Sequence, residues 1–571
     1  MHVVTTERRS GEAVYNATLL RRSYREGGKV KKETLANLSH LPPEAIDAIR
    51  RVLRGETLMS VEDAFETVRS LPAGHVNAAL LMARRLGLAG LLDPRASRER
   101  DLCMAMILGR VIKPASKLGT VRALSRTTLA EELGVVGCDE DELYGAMDWL
   151  LGRQERIEDR LACRHLTDGE MVLYDVSSSY FEGRSCALAK LGYSRDGKRG
   201  LPQIIYGLLC DMAGRPVCVE VFSGELHDDK TLPSQVEKLK GRFGLSRVVV
   251  VADRGMVTEA NIDLMRQQDG VDWITALKAP TIKKLARSGV FQPSLWDQQN
   301  LATITGAKDF PDERLIVCRN PLVAAQRARN RNELLAATET DLAAIAQRVV
   351  NGTLAGADQI GLAVGPAVKR YRMKKHFQLQ ITDTTFSYER KHEQITTEAA
   401  LDGFYILRTG LPADTLAQDD VVRAYKNLEQ AERAFGSFKG PDLQIRPIHH
   451  HLEDRVRAHV LICMLAYYLT WHLKAAWKPL LFTDEDRPVS PDPVAKAVRS
   501  PAAQQKAQTK RTATGQPAHS YRTLLADLAT QTRNTTRLHG HPSTFEKLTQ
   551  PTALQAEALE LAANAPVVVA R

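Results

Sequence analysis

Two spacings of apolar residues divide the chain. Between residues 42 and 165 they recur at helical intervals. Pro42-Pro43-Glu44 opens one predicted helix, and residues 76–92 and 98–111 form two more, with Pro94 and Pro114 as stops. Residues 143–164 read as one long amphipathic helix. From residue 171 the period shortens. The run Met-Val-Leu-Tyr-Asp-Val-Ser-Ser-Ser-Tyr, 171–180, predicts a buried strand over 171–177, and a glycine-rich basic loop follows at 192–200. Strands at 203–210 and 216–222 are joined by the short turn Asp211-Met212-Ala213-Gly214-Arg215, so they pair antiparallel. A helix near 229–243 leads to a strand at 247–252. That strand's run Val-Val-Val-Val-Ala has the continuous apolar character of a central strand. A helix at 257–268 and a strand at 272–277 complete an α/β layered pattern.

Residues 278–400 break this pattern with short strands (315–318, 377–381) and helices (321–350, 359–374), as an insertion would. Helix-period residues return at 421–477, and the apolar run 460–473 is too short to span a bilayer, which needs about 20 residues. The expected plan is a basic hairpin (1–40), turning at Gly27-Gly28, then a mainly helical segment (41–168). The first part of the α/β layers (169–277), an inserted α+β segment (278–400) and the second part of the layers (401–480) follow. A flexible linker (481–518) rich in Pro, Ala, Gln, Thr and Lys and a helical tail (519–571) end it.

Composition narrows the partner. The 571 residues carry a formal net charge of +10, and the pI of about 9.1 favours an anionic partner, of which nucleic acid is the commonest. The helical segment with its basic turns fits DNA binding and also fits a plain bundle; the basic stretch 369–376, with Lys369, Arg370 and Arg372, fits a strand-backbone contact and also a solvated face. The first residues are polar rather than signal-like, and the eight cysteines show neither a Cys-x-x-Cys pair nor a zinc-like spacing with His. Reduced thiols in the cytoplasm are the expectation.

Candidate chemistry sits at strand ends. Asp175 lies in an apolar strand, where a carboxylate is costly unless paired or bound to a cation. It either hydrogen-bonds the serines after it or needs a metal. Asp253 stands at the end of the apolar strand 247–252, followed by Arg254 and a glycine that permits a sharp turn. Two such acids suit Mg²⁺ or Mn²⁺, which take oxygen ligands. Tyr425, Leu428, Glu432 and Lys439 fall at offsets 0, 3, 7 and 14 and so share one helix face. That face serves either as an acid and a phosphate-binding cation or as an ordinary charged surface. Glu429 and Arg433 form an i,i+4 pair.

These stretches together resemble the DDE transposases of bacterial insertion sequences, in the branch with the signature Tyr, two residues, Arg, three residues, Glu, six residues, Lys. Tyr425, Glu432 and Lys439 match that spacing, while Leu428 occupies the Arg position. Further similarity lies at 192–200, 224–231 and in Arg446-Pro447-Ile448-His449-His450 followed by His459. The resemblance covers about 171–475, with a weaker echo at 12–40. It implies an α/β fold with a ribonuclease-H-like mixed-sheet core, interrupted by an inserted domain. It implies catalysis by Asp175, Asp253 and Glu432 on two Mg²⁺ ions, Mn²⁺ substituting. Hydrolysis at the transposon end, then attack of the freed 3′-hydroxyl on target DNA, is the implied reaction. Tyr425, Lys439, Arg195, Lys198, Arg199, Arg254, Lys369, Arg370 and Arg372 are the candidate DNA contacts. A homo-oligomer on DNA, associated with the bacterial nucleoid, is the expected assembly. Two other functions fit the same residues: a DNA-binding regulator without catalysis, and a metal-dependent nuclease without strand transfer.

Overall fold

The computed structural model describes residues 1–59, 64–293 and 300–566. Residues 60–63 of the helical segment, 294–299 of the insertion and 567–571 of the tail lie outside the described residues. The chain divides into two compact units, Met1–Leu71 with Thr532–Gln550, and Pro72–Gln531 with Pro551–Arg571.

The smaller unit holds two three-stranded sheets. The expected hairpin is there, as Ala13–Glu26 and Lys29–Asn37, with Gly27 and Gly28 both at positive φ in the tight turn that glycine favours. A further strand, His2–Ser10, pairs antiparallel with the first of these. The second sheet joins Phe65–Pro72 to a hairpin of Thr532–Leu538 and Thr544–Leu548. The tail is therefore not wholly helical. Thr, Arg and Asn dominate Thr532–Leu538, and a strand with so little apolar alternation escapes a periodicity reading.

The larger unit is built on an eight-stranded mixed sheet, whose strands we label β1 to β8 in chain order: β1 (Met171–Tyr180), β2 (Gln203–Asp211), β3 (Pro216–Ser223), β4 (Val248–Ala252), β5 (Val271–Ala276), β6 (Leu301–Thr305), β7 (Arg314–Arg319) and β8 (Phe404–Thr409). Their order across the sheet is β6-β7-β8-β5-β4-β1-β2-β3. β1, β4 and β5 run parallel, and every other neighbour is antiparallel. The valines of β4 are buried on both faces, as the centre of such a sheet requires. The helix Glu453–Ala476 begins charged but from Ala458 to Thr470 is buried on every face and packs in the core. Among the described residues no helix is long and apolar enough to cross a membrane.

Several expected boundaries shift. From Gly74 onward the helical segment shares its core with the sheet, as do Tyr521–Leu528 and Ala553–Asn564 of the tail. The long helix at 143–164 is two, Glu140–Leu151 and Gln154–His165, with Gly152 capping the first. The insertion does not start cleanly at 278, because β6 and β7 extend the main sheet. Its later part, with helices Pro321–Val350 and Ala357–Arg370 and the hairpin Phe377–Ile381/Phe386–Arg390, has a core of its own, while Ile282, Leu285, Phe291 and Phe310 of its earlier part pack a second one with residues of β7 and β8. Residues 481–518 are not a free linker. Val494 is fully buried, and the Lys506 ammonium donates to the carbonyls of Lys478 and Leu481 and pairs with Glu485 at 2.7 Å. Polar composition suggests a solvated chain, but here the polar groups bind backbone carbonyls.

Candidate active site

Register brings the first two acids together. Parallel pairing of β1 with β4 ends at Tyr174 opposite Ala252, so Asp175 and Asp253 are the next residues on neighbouring strands. Asp175 is thus mid-strand rather than at a strand end, because β2 continues to pair with β1 as far as Tyr180. Asp175, Asp253 and Glu432 line one cavity of about 520 Å³, together with Arg254, Tyr425 and Glu429.

Glu432 comes from the helix Glu429–Lys439. The single helix expected from 425 to 439 is broken. Gln418–Lys426 ends at Asn427, and i to i+3 bonds from Leu428 N to Tyr425 O and from Gln430 N to Asn427 O tighten the step between the two. Tyr425 still faces the site, its hydroxyl donating to Asp253 Oδ1 at 3.4 Å. Burial and the Asp253 charge push that phenol well above its usual range. Leu428, at the family's Arg position, is buried in the core.

The electrostatics are those of crowded carboxylates. Burial, then the charges of Glu432 and Asp253, push the Asp175 carboxyl up to about 7, although Val176 N donates to its Oδ1 at 2.8 Å. Burial and then Glu429 push Glu432 upward as well. A further acid, Asp228, flanks the site: a Cβ added at Gly255 would stand 3.8 Å from Oδ2 of both Asp253 and Asp228. All these donors are oxygens, which suits a hard divalent cation, and a cation would relieve the cost of holding them charged. Among the described residues no three His, Cys, Asp or Glu side chains stand close enough to hold a metal as they are.

Other candidates take different places. Arg195 pairs with Asp228 at 2.5 Å and its N–H donates to Ser178 Oγ, so it ties the glycine-rich loop to β1. Gly192 of that loop passes so close to Gly224 that a Cβ would lie 1.9 Å from the Gly224 carbonyl oxygen. Lys439 pairs with buried Asp196 at 2.9 Å, and Arg446 pairs with the same carboxylate. The Lys198 ammonium lies 5.8 Å from the Tyr180 ring centre, and Arg199 is exposed on the same loop. Lys369, Arg370 and Arg372 are exposed in the insertion, Arg370 paired with Asp341 at 3.0 Å. None of these seven lines the carboxylate cavity. Arg327, on the helix Pro321–Val350, does line it. It is one of four arginines in that 30-residue helix, and nothing in the sequence singles it out. Asp228 could have been found, since it lies in the similar stretch 224–231.

A family model described as "Transposase DDE domain" matches residues 170–469, and one described as "IS1634 family transposase, N-terminal domain" matches residues 3–63. No curated protein matches. Among solved structures, the chain is similar to one titled "Cryo-EM structure of piggyBac transposase synaptic complex with hairpin DNA (SNHP)", at 8% identity and a TM-score of 0.32, over 80% of this chain and 76% of that one.

Proposed function

This chain belongs to the DDE transposases of insertion sequences, and on that premise we propose that it binds the ends of its element, hydrolyses a phosphodiester there and transfers the 3′-hydroxyl end to target DNA. The observation that carries this reading is the convergence of Asp175, Asp253 and Glu432 on one cavity from three separate parts of the chain. The strand sequence β3-β2-β1-β4-β5, with β1, β4 and β5 parallel, supports a ribonuclease-H-like core around it. Asp175, Asp253 and Glu432 would hold Mg²⁺ or Mn²⁺, which when bound polarises phosphate oxygens and lowers the barrier to attack by water or hydroxyl.

The chain's own residues do the rest. The Tyr425 hydroxyl donates to Asp253, the Arg195 N–H to Ser178 Oγ holds the loop against β1, and the Arg195–Asp228 pair ties it to the turn after β3. Arg254 and Arg327 line the cavity as cations that can meet strand phosphates. Lys198 and Arg199 extend this positive surface along the loop. Lys439 reaches DNA only by leaving Asp196. We place the protein in the bacterial cytoplasm, as a homo-oligomer when bound to paired ends.

The test is cleavage of a labelled duplex carrying the element's terminal repeat. Wild type in Mg²⁺ cuts it and joins the product to target DNA. Cutting that survives both Asp253→Ala and a chelator removes the metal reading. Cutting without joined product leaves a nuclease.

A further inference from the structure

A second cavity, of about 370 Å³, lies between the start of the helix Lys117–Leu124 and the segment 444–459. It shares no lining residue with the carboxylate cavity. Arg110, Lys117, Arg446 and Arg455 line it, against one lining acid, Glu140, which accepts a hydrogen bond from Tyr144 Oη at 3.3 Å.

Most of these cations are already engaged. Arg110 donates to the carbonyls of Leu443, Gln444 and Ala115. Arg446 pairs with Asp196. Arg455 lies 3.8 Å from Asp148 and over the Tyr144 ring. Lys117 differs. It is 4% exposed, and among the described residues its ammonium has no ion-pair or hydrogen-bond partner. A buried ammonium with no counter-charge is one of the costliest arrangements a protein can hold. Burial, then the charge of Arg110, pulls its pKa down to about 7.

The neighbouring histidines repeat the pattern. His459 donates from Nε2 to the Ile445 carbonyl at 3.2 Å, which leaves its buried Nδ1 without a partner. The His450 ring centre is 5.1 Å from that of His459. Burial and the charges of Lys117 and Arg110 hold His450 near 3, and His459 is held well below its ordinary value. A metal does not suit these imidazoles, because the arginines and Lys117 would repel it. An anion would: it gives Lys117 its missing partner and favours protonation of both rings, each gaining a donor. The helix start at Ser116 and Lys117 adds its own positive end.

We propose that this cavity is a phosphate-binding site in which Lys117 is the central ligand, with His450, His459 and Arg455 around it. Several oxygens on one tetrahedral centre match donors arriving from a helix start, a lysine and two imidazoles. The phosphate is carried on a polynucleotide strand or is free in solution. The site itself is independent of the carboxylate cavity; only the polynucleotide source leans on the transposase reading.

The test uses the full chain without divalent metal. Titration calorimetry with inorganic phosphate, at ionic strength matched with chloride, is expected to show binding in wild type. Lys117→Met should weaken it at least tenfold while the variant melts no lower than wild type in chloride. If Lys117→Met fails to fold, Arg455→Gln should weaken phosphate several-fold. No phosphate-specific heat in wild type, or equal binding by folded Lys117→Met, overturns the site. A 5′-phosphorylated single-stranded oligonucleotide that displaces phosphate from wild type assigns the strand; no displacement assigns free phosphate. Because no cleavage is read, failure of the DNA-cutting reading leaves this result standing.

Discussion

The larger unit holds two cavities of opposite sign. One gathers Asp175, Asp253, Glu432 and Glu429; the other gathers Lys117 with arginines and histidines. Both force like charges together out of water, and in both the central group gives way: Asp175 rises to about 7 and Lys117 falls to about 7. The difference lies in the scaffold. The acids stand on adjacent strands and a helix, where backbone register sets their spacing. The bases come from the start of Lys117–Leu124, from two other helices that carry Arg110, Arg455 and His459, and from the irregular stretch with Arg446 and His450, and Arg110 is packed against carbonyls. A precise register suits chemistry on one bond; carbonyl-rich packing suits holding a ligand still. The two meet through Asp196, which pairs with Lys439 of the Glu432 helix and with Arg446 of the basic cavity.

The largest effect should fall on one cavity alone. Asp175→Ala, Asp253→Ala and Glu432→Gln are each expected to lower the rate of end cleavage by at least about a thousandfold, on the order of 4 kcal/mol of barrier. Duplex binding and inorganic phosphate binding should stay close to wild type. A variant among these that still cuts at near the wild-type rate takes that residue out of the site.

Stability should separate the cavities by sign. The folded-state pKa of Asp175 is raised from 3.8 to about 7, so its penalty is absent below 3.8, grows between the two values and is full above 7. Asp175→Asn is therefore expected to stabilise the metal-free protein at pH 8 and to do little at pH 4. The folded-state pKa of Lys117 is lowered from 10.5 to about 7, so its penalty grows as pH falls through that window and is full below 7. Lys117→Met in phosphate-free buffer should stabilise most at pH 6. The displacements correspond to ceilings of about 4 to 5 kcal/mol; Asp175 keeps part of its surface open to the cavity, so its gain should be the smaller. Chemical denaturation at several pH values reads both slopes. Parallel slopes would mean that the two groups do not titrate as opposites.

How much of this could be read from the chain differs between the cavities. Asp175 and Asp253 were legible because apolar strands frame them, and Glu432 because a spacing of seven residues on either side leads to Tyr425 and Lys439. Strands β1 to β5 and the antiparallel pairing of β2 with β3 were legible from the same apolar runs, whereas the order of all five across the sheet was not. The break at Asn427 was not, since 425–439 keeps helical periodicity through a tight step. The basic cavity was half visible: the stretch Arg446 to His459 stood out, but Lys117 lies more than 300 residues away and its burial depends on tertiary packing. Residues 481–518 defeat a compositional reading because composition reports polarity and not which polar groups find partners.

DNA binding should respond more modestly. Arg254→Gln or Arg327→Gln at the acid cavity is expected to weaken duplex binding several-fold and to flatten the dependence of log affinity on log salt by about 0.9 for each phosphate no longer neutralised. Fluorescence anisotropy across a salt series measures it. An unchanged slope in both variants would mean that neither arginine neutralises a phosphate at the acid cavity.

The smallest effect is expected at the acid that shares the cavity but takes no part in the chemistry proposed for it. Glu429 and Glu432 are neighbours on one helix, and both line the space around Asp175 and Asp253. Their partners differ. Glu429 accepts from Arg433 Nη2 at 2.8 Å, an exposed i,i+4 pair with the acid on the N-terminal side, contributing about 0.2–0.5 kcal/mol. Its negative charge is thereby partly offset, and it reaches Glu432 only as a repulsive neighbour that raises the Glu432 pKa. Among the described residues Glu432 has no such cation, and it is open to meet one. Glu429→Gln should therefore cut within about tenfold of wild type, a barrier change under about 1.4 kcal/mol, and should shift the acid limb of the pH–rate profile slightly downward as the repulsion on Glu432 is relieved. Both variants are compared on one labelled end duplex at equal protein and Mg²⁺. If Glu429→Gln were inactive and Glu432→Gln active, the register of the helix Glu429–Lys439 would be misassigned, and the link from Lys439 through Asp196 to the basic cavity would lose its connection to the chemistry.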